Sequence, residues 1–269
     1  MQTSSPILRQ TSLEILSTVE SMPTLPDRFI KIQAILDDTD STLHALTKII
    51  ETDHVTAATI LKIANSTYYN PLGAPVSNLA YAISRLGRKE TGDIALSMSL
   101  LYGFAIPAGI AMIRNFWAHA FAVAQISRFI AQQPKNIKDI DPDTLFMAAL
   151  LHDIGRIIIS MRVDMSYFEK DFSTLGELLV VQGETQAYGI DHAEAGAIVL
   201  KQWGLSPDIC DIVASHHQQP PITKSMKICQ FSDVFAAEHL NMSLNIEDVQ
   251  IALKEGLLEQ ALESFADTL

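Results

Sequence analysis

The segment LFMAALLHDIGR, residues 145–156, constrains the fold more than any other part of the chain. Seven apolar residues run without a break into His152 and Asp153, and Asp141-Pro142 stands in front as a helix N-cap with proline at the first helical position. A helix that is apolar on all sides is buried, and a carboxylate at its buried end is costly unless it is paired or bound to metal. The segment therefore predicts a core helix that ends in a His-Asp pair, held either as an ion pair or as metal ligands.

Apolar residues recur at helical spacing through almost the whole chain, for example at Leu43, Leu46, Ile49 and Ile50. The one β-like run, residues 157–159, is too short to found a sheet. These patterns predict an all-α fold, a multi-helix bundle. Capping residues and breakers place helix starts near residues 27, 41, 55, 77, 88, 107, 142, 175, 192, 207, 224 and 247. Gly155 is predicted to allow a sharp exit of the chain.

The length of 269 residues suits one large domain or two small ones. We predict an N-terminal extension over residues 1–20, a main domain over 21–240, and a C-terminal helix within 241–269. A weak boundary near 105–109 divides the main domain into an N-terminal helical module, up to about residue 106, and a half over 107–240 that contains the His-Asp pair.

Charge and composition exclude several classes of partner. The formal net charge is −12, from 31 acidic and 19 basic residues, and no Lys/Arg cluster is visible, which argues against nucleic acid and anionic membrane surfaces. Residues 94–113 are uncharged and long enough to be weighed as a membrane span, but internal Ser, Gly and Pro residues favour two core helices joined near Pro107. The start of the chain shows no signal peptide, and two cysteines suit a reducing compartment. We therefore expect a cytoplasmic protein.

Further side chains that can bind metal flank the central helix. His119 lies in the apolar helix FWAHAFAVAQISRFIA, where a lone histidine is usually a satisfied core residue. His192 follows a capping aspartate, where the helix dipole favours neutral, metal-binding imidazole, although an ordinary surface position is equally expected. His216-His217 ends a helix, where cationic histidine is favoured without metal. Asp233 is a mid-helix carboxylate among small residues, either solvated or a ligand.

The joint order His…His-Asp…His…His-His…Asp is much less easily produced by chance than any one of its members. Mixed imidazole and carboxylate ligands suit Fe, Mn or Zn better than Ca or Mg. The candidates exceed four, so they allow two divalent ions with a bridging carboxylate. The candidate metal ligands are His119, His152, Asp153, His192, His216, His217 and Asp233.

The order and contexts of these residues resemble the HD superfamily of metal-dependent phosphohydrolases, and more fully the HDOD domain, an HD-related output domain of bacterial signalling proteins. The resemblance covers about residues 20–240. NSTYYN and AISRLG are particular to HDOD. The stretches that carry the resemblance are LPDRFIKIQAILDD, IIETDHVTAATILKIANSTYYN, AISRLG, FWAHAFAVA, LFMAALLHDIGR, GIDHAEAGAIVLKQWGLSPDI, ASHHQQP and QFSDVFA.

This resemblance implies an all-helical, HD-like fold and a regulatory or scaffolding role with a signalling protein as partner. HDOD domains commonly lack the HD ligands and have no established general activity, whereas this chain retains the ligand residues. By motif match, the core HD ligands would be His119, His152, Asp153 and Asp233. The positions at which the related HD-GYP phosphodiesterases place ligands of a second metal are His192, His216 and His217.

Three departures argue against hydrolysis of cyclic dinucleotides. The GYP element is absent, since residues 218–221 read QQPP, and Asn115 stands where HD-GYP proteins can carry a glutamate ligand. Arg156 replaces the lysine usual after HDIG, although arginine can hold a phosphate with two hydrogen bonds and is a candidate phosphate contact.

The sequence therefore supports a cytoplasmic HDOD signalling protein with an HD-like metal site. One alternative is a phosphohydrolase, in which metal activates water and Arg156 steadies a phosphate-containing ligand. Another is a metal-free scaffold in which the same side chains form hydrogen-bonded core pairs.

Overall fold

The regular elements of the protein are helices. The computed structural model describes residues 6–18, 23–71, 73–106, 108–133, 141–170, 177–240 and 245–266, and these ranges contain no strand. The predicted all-α class is therefore confirmed. The helices are α1 Pro6–Ser17, α2 Asp27–Asp37, α3 Leu43–Glu51, α4 His54–Ala64, α5 Leu79–Leu86, α6 Arg88–Gly103, α7 Ile110–Ala131, α8 Pro142–Leu150, α9 Ile154–Arg162, α10 Glu177–Tyr188, α11 His192–Gln202, α12 Pro207–Ser215, α13 Lys224–His239, α14 Ile246–Ala252 and α15 Leu258–Ala266.

Helices α7 and α8 form the centre of the core. All seven apolar residues 145–151 are buried, and α8 begins as expected, with the Asp141 side chain accepting a hydrogen bond from the backbone N–H of Thr144 at 2.8 Å. Helix α7 packs against α8, α13, α14 and α15. The middle of α7, including Phe121, is fully buried because it has neighbours on several sides. This packing brings α7, α8 and α13, which carry candidate ligands, into contact.

Helices α2 to α6 pack on one another and form the N-terminal module. Two motifs of this module, NSTYYN and AISRLG, have structural roles. Asn65 donates to the carbonyl of Val76 and accepts from its backbone N–H, each at 2.7 Å, which closes the loop after α4. Arg85 donates to the carbonyl of Ala64 at 3.3 Å, and Gly87 has a φ of +85° between α5 and α6. These motifs therefore fix the α4–α5–α6 connections rather than contribute ligands.

Both ends of the described chain reach across the fold. Helix α1 packs on α10 and α11, and Arg9 forms an ion pair with Glu194. Helix α14 packs against α4, α6 and α7. The N-terminal and C-terminal segments therefore pack on the main domain, while the predicted domain boundaries stay predictions.

Within the described ranges, one segment, Pro142–Arg162, is long and apolar enough to cross a membrane by length and composition. In the apolar 18-residue stretch of this segment, 83% of the residues are buried inside the protein. Residues 151–153 form a turn between α8 and α9. The segment weighed from the sequence, residues 94–113, is divided between α6, which ends at Gly103, and α7, which begins at Ile110. Pro107, the predicted junction, lies outside the described residues.

Several local predictions differ from the structure. The β-like run at residues 157–159, which was expected to be too short to found a sheet, is part of helix α9, and its three isoleucines are buried. The single C-terminal helix is two helices, α14 and α15, since Gly256 adopts a φ of +129° between them. Gly155 lies inside α9, so it is not a chain exit. A Cβ atom at Gly155 would lie 1.9 Å from the carbonyl oxygen of His192, so glycine is needed there for the close contact of α9 with α11.

Candidate metal centre

The structure brings all seven candidate ligands into one cluster, called here the His-Asp cluster. His119 lies in the middle of α7, and Asp233 lies in α13, which packs against α7. His152 and Asp153 occupy the turn between α8 and α9. The remaining three come from α11 and α12: His192 is the first residue of α11, and His216-His217 directly follows α12.

Three distances within the His-Asp cluster are longer than those of a hydrogen-bonded ion pair. His152 Nε2 lies 3.6 Å from both Asp153 Oδ2 and Asp233 Oδ1, and His216 Nε2 lies 3.7 Å from Asp153 Oδ1. These separations exceed a hydrogen bond. They match the spacing of roughly 3.4 Å expected between two ligand atoms of a tetrahedral ion with bonds of about 2.0–2.2 Å. Accordingly, the buried Nε2 atoms of His152 and His216 have no hydrogen-bond partner.

The opposite nitrogens of these imidazoles are fixed by the backbone. His152 Nδ1 donates to the carbonyl of Ala149 and His216 Nδ1 donates to the carbonyl of Val213, each at 2.7 Å. A carbonyl oxygen only accepts, so Nδ1 must carry a proton in both residues. In the neutral imidazole the lone pair is then on Nε2 and points into the cluster, which is the tautomer a metal ion requires.

The cluster contains two sets of ligand atoms that share one residue. The ligand atoms of each set lie within 4.8 Å of one another. Asp233 adjoins the first set, because its Oδ1 lies 2.9 Å from His119 Nε2. Asp153 is the residue that belongs to both sets. The first set consists of His119, His152 and Asp153, and the second of Asp153, His192, His216 and His217.

The two carboxylates of the cluster, Asp153 and Asp233, favour positive charge on the groups beside them. Burial favours the neutral form of His152, yet the Asp153 and Asp233 carboxylates raise its pKa to about 9. Although burial would raise the pKa of Asp153, Arg156, His152 and His192 hold that pKa well below its ordinary value. The carboxylates are therefore anionic, and metal ions that bind them would compete with the protons of the neighbouring imidazoles.

Arg156 stands at the edge of the cluster. Its Nε lies 3.1 Å from Asp153 Oδ1, and only 16% of its side chain is exposed. The guanidinium therefore lies against a candidate ligand, and the predicted contact of Arg156 with a phosphate stays a prediction.

Glu184 is the site residue that the sequence interpretation missed. Its fully buried carboxylate accepts hydrogen bonds through Oε2 from the backbone N–H of His192 at 2.8 Å and from His192 Nδ1 at 2.6 Å. Its other oxygen accepts from the hydroxyl of Tyr167. The stretch LLVVQGETQAY carried no clear signal for this role, because Glu184 stands among other polar residues there and its burial depends on tertiary contacts. Glu184 thereby orients His192 with Nε2 toward Asp153, 3.1 Å away.

Tyr167 is held by a hydrogen-bonded loop, residues 163–170, called here the α9–α10 loop. Asp164 accepts from the Ser166 hydroxyl at 2.6 Å, from the Tyr188 hydroxyl at 2.9 Å and from the Lys170 ammonium at 2.5 Å. The Lys170 and Ser166 contacts hold the pKa of Asp164 well below its ordinary value. Asp164 is thus the residue on which the loop conformation depends.

We expect Asp164→Asn to lower the free energy of unfolding by about 1 kcal/mol at pH 7, because it removes hydrogen bonds to a charged acceptor. A carboxylate whose folded pKa is depressed stabilises the fold above its unfolded pKa near 3.8, and this contribution is lost as the pH falls through the folded value. The difference between variant and parent should therefore shrink below about pH 4. Urea unfolding at pH 7 and pH 3, with the exposed Asp211→Asn as control, measures it; a difference that grows at low pH would contradict the prediction.

Comparisons with known proteins agree with this architecture. An HDOD-domain protein of unknown function from Geobacter sulfurreducens aligns with a TM-score of 0.64 at 23% identity, covering 96% of this chain and 97% of that one. A protein from Shewanella amazonensis, described provisionally as a phosphohydrolase, aligns with a TM-score of 0.64 at 20% identity, covering 93% of each chain. At these identities the likeness shows the fold alone.

Sequence comparison gives the family. An uncharacterised protein of Treponema pallidum is 19% identical over 239 residues, which are 87% of this chain and 44% of that protein. The chain thus spans less than half the length of this curated relative. The model of the HDOD domain matches residues 22–219. Because that match extends over more than half of the sequence, the chain belongs to the HDOD domain family.

Proposed function

We propose that the chain is a regulatory HDOD protein that holds two divalent transition-metal ions, Fe, Mn or Zn, in the His-Asp cluster. Asp153 is the shared ligand. At the first position, one ion is bound by Asp153 together with His119, His152 and Asp233. At the second position, the other ion is bound by Asp153 together with His192, His216 and His217. The protein acts in the cytoplasm and passes its state to a signalling protein.

One observation carries the metal proposal: the buried Nε2 atoms of His152 and His216 lack hydrogen-bond partners and stand 3.6–3.7 Å from carboxylate oxygens. In a metal-free scaffold these imidazoles would be expected to form hydrogen bonds, because an unsatisfied buried polar group costs about 1–3 kcal/mol. Ions bonded to Nε2 would remove that cost. The donor set of imidazoles and carboxylates suits a transition metal.

The limited access to the cluster favours a regulatory role over hydrolysis of a large substrate. His152, His192 and His216 are at most 1% exposed, whereas the side chain of His119 is 20% exposed and His217 is half-buried. A ligand from solvent would therefore approach beside His119 or His217.

A second candidate function is hydrolysis of a small phosphomonoester, favoured by the partial exposure of His119 and the position of Arg156 beside Asp153. When bound, a metal ion at such a site polarises a phosphoryl oxygen and lowers the pKa of water. The chain would contribute Arg156 as a positive group near the phosphate, and its buried walls would exclude bulk water. The substrate would have to be small enough to enter beside His119.

The proposal is tested by elemental analysis of purified protein and by melting temperature with and without chelator. We expect about two transition-metal ions per chain and a lower melting temperature after chelation, since binding to the folded state contributes roughly 2.7 kcal/mol per site at a hundredfold excess over the dissociation constant. His152→Ala should lose metal, and His54→Ala, at an exposed histidine, should retain it. Metal-free protein with a melting temperature indifferent to both metal and chelator would refute the proposal.

We expect no useful hydrolysis of cyclic di-GMP, although the ligand residues are present. The GYP element is missing, Asn115 stands where HD-GYP proteins can carry a glutamate ligand, and three cluster histidines, His152, His192 and His216, are at most 1% exposed. Transition-state stabilisation requires donors aimed at the developing phosphoryl charge in addition to metal. An assay of metal-loaded protein should show no release of product above the His152→Ala background. Sustained turnover that His152→Ala abolishes would contradict the expectation and place the enzyme interpretation first.

A further inference from the structure

Histidines of the second ligand set are oriented in two different ways. His216 Nδ1 donates to a carbonyl three residues earlier in its own chain segment, as His152 Nδ1 does in the first set. His192 Nδ1 instead donates to the carboxylate of Glu184, eight residues away on α10. A carbonyl of the same helical segment cannot move independently of its histidine, whereas a side chain on another helix can.

The contact of Glu184 extends to the α9–α10 loop. Tyr167 donates its hydroxyl to the Glu184 oxygen that does not bind His192. Asp164 holds the loop through Ser166, Lys170 and Tyr188, as described above. A continuous chain of hydrogen bonds therefore connects Tyr167 of the α9–α10 loop to Glu184, and Glu184 to Nδ1 of His192. The other ring nitrogen of His192, Nε2, points at Asp153.

We propose that Glu184 and Tyr167 are positioning residues that set metal affinity at the second position while leaving the first unchanged, so that the α9–α10 loop controls whether the cluster holds one ion or two. This inference rests on the proposed function, because it presupposes that the cluster binds metal. A carboxylate that accepts a hydrogen bond from Nδ1 fixes the ring and strengthens Nε2 as a ligand, and loss of such a partner typically costs 10- to 100-fold in metal affinity.

Metal affinity at the first position should not depend on Glu184 or Tyr167. His119 Nε2 lies 2.9 Å from Asp233 Oδ1, and His152 is held by the carbonyl of Ala149. Neither residue is hydrogen-bonded to Glu184 or Tyr167. Asp153 is common to both positions, but it lies in the turn between α8 and α9 and not on the α9–α10 loop.

The test uses the full chain and Mn²⁺ as the probe. Metal-free protein is titrated with Mn²⁺ by calorimetry, and ion content and magnetic coupling are measured by elemental analysis and electron paramagnetic resonance. The wild type should bind two ions that couple through Asp153. Glu184→Gln, which keeps the volume and removes the charge, should weaken the second binding step 10- to 100-fold and leave the first unchanged, so that limiting Mn²⁺ gives a single uncoupled ion. Tyr167→Phe should weaken the second step several-fold in the same direction.

A matched control is present elsewhere in the fold. Tyr69 donates to the Glu90 carboxylate at 3.1 Å in a network with Gln250 and Lys254 that includes no cluster residue. Glu90→Gln thus disturbs an equivalent Tyr–Glu pair, and it should lower the melting temperature without changing either binding step.

The outcomes separate two claims: that the cluster binds metal, and that Glu184 and Tyr167 set the affinity of the second position. A wild type that binds no Mn²⁺ refutes the metal proposal, and the inference with it. A wild type that binds two ions, with both steps unchanged in Glu184→Gln or both weakened equally, overturns the inference and leaves metal binding intact. If Glu184→Gln does not fold, Tyr167→Phe and Asp164→Asn decide: an unchanged second step in both overturns the inference.

Discussion

Asp153→Ala should lose metal from both positions and lower the melting temperature of the metal-loaded protein by about 10–20 °C. The substitution removes the one carboxylate that both ligand sets share and leaves several imidazoles facing one another. Two sites that each contribute roughly 2.7 kcal/mol at a hundredfold metal excess lose that contribution together, and a chain of this size shifts by about 2–4 °C per kcal/mol. The effect should exceed that of any single histidine ligand, which belongs to one set only.

Metal content and melting curves with and without chelator measure this result. Asp53→Ala is the matched control, since Asp53 is another mostly buried aspartate, which caps α4 and pairs with Arg28. It should lower stability by about 1–2 kcal/mol through the lost cap and keep the metal content of the wild type. If Asp153→Ala and wild type melt at the same temperature in metal and in chelator, the cluster is not a metal site of the folded state.

The fold class and the convergence of the cluster could be read from the sequence because both rest on patterns. Helical periodicity gave the all-α class, and the apolar run before His152 gave the buried central helix. The HDOD resemblance, confirmed by the match over residues 22–219, predicted which residues of distant segments join His152 and Asp153 in the core ligand set. Spacing alone could not do so, because His119 and Asp233 are 114 residues apart and meet only through the packing of α7 on α13.

Two features could not be found because their causes lie in tertiary contacts. Glu184 occurs in an otherwise unremarkable helix, and its role depends on the arrival of His192 and Tyr167 at opposite oxygens of its carboxylate. Gly155 was interpreted from local chain geometry as an exit, yet its function is set by a helix that begins 37 residues later in the sequence. Periodicity reports which face of a helix is buried and not how closely the neighbouring backbone approaches.

The contact at Gly155 has a consequence for the metal centre. The carbonyl oxygen that a Cβ would strike belongs to His192, the first residue of α11 and a ligand of the second set. Asp153 directly precedes α9, and His192 is the first residue of α11. The Oδ1 atom of Asp153 lies 3.1 Å from the Nε2 atom of His192. The close packing of α9 on α11 thus sets the spacing between two candidate ligands.

We expect Gly155→Ala to destabilise the fold by about 2–4 kcal/mol and to lower metal occupancy at the second position. Alanine in a helix interior is worth about 1 kcal/mol over glycine, but here its Cβ would lie 1.9 Å from the carbonyl oxygen of His192 and 2.7 Å from the backbone nitrogen of Gly196. Both obstacles are backbone atoms, so the helices must separate, and overpacking of this kind outweighs the gain in helix propensity. Gly92→Ala is the control, because the three atoms nearest to its Cβ all belong to the side chain of Leu36, which can change rotamer. Denaturant unfolding and elemental analysis should show a small effect there and a large one at Gly155; equal stability and equal metal content in the two variants would show that close packing of α9 on α11 does not position His192.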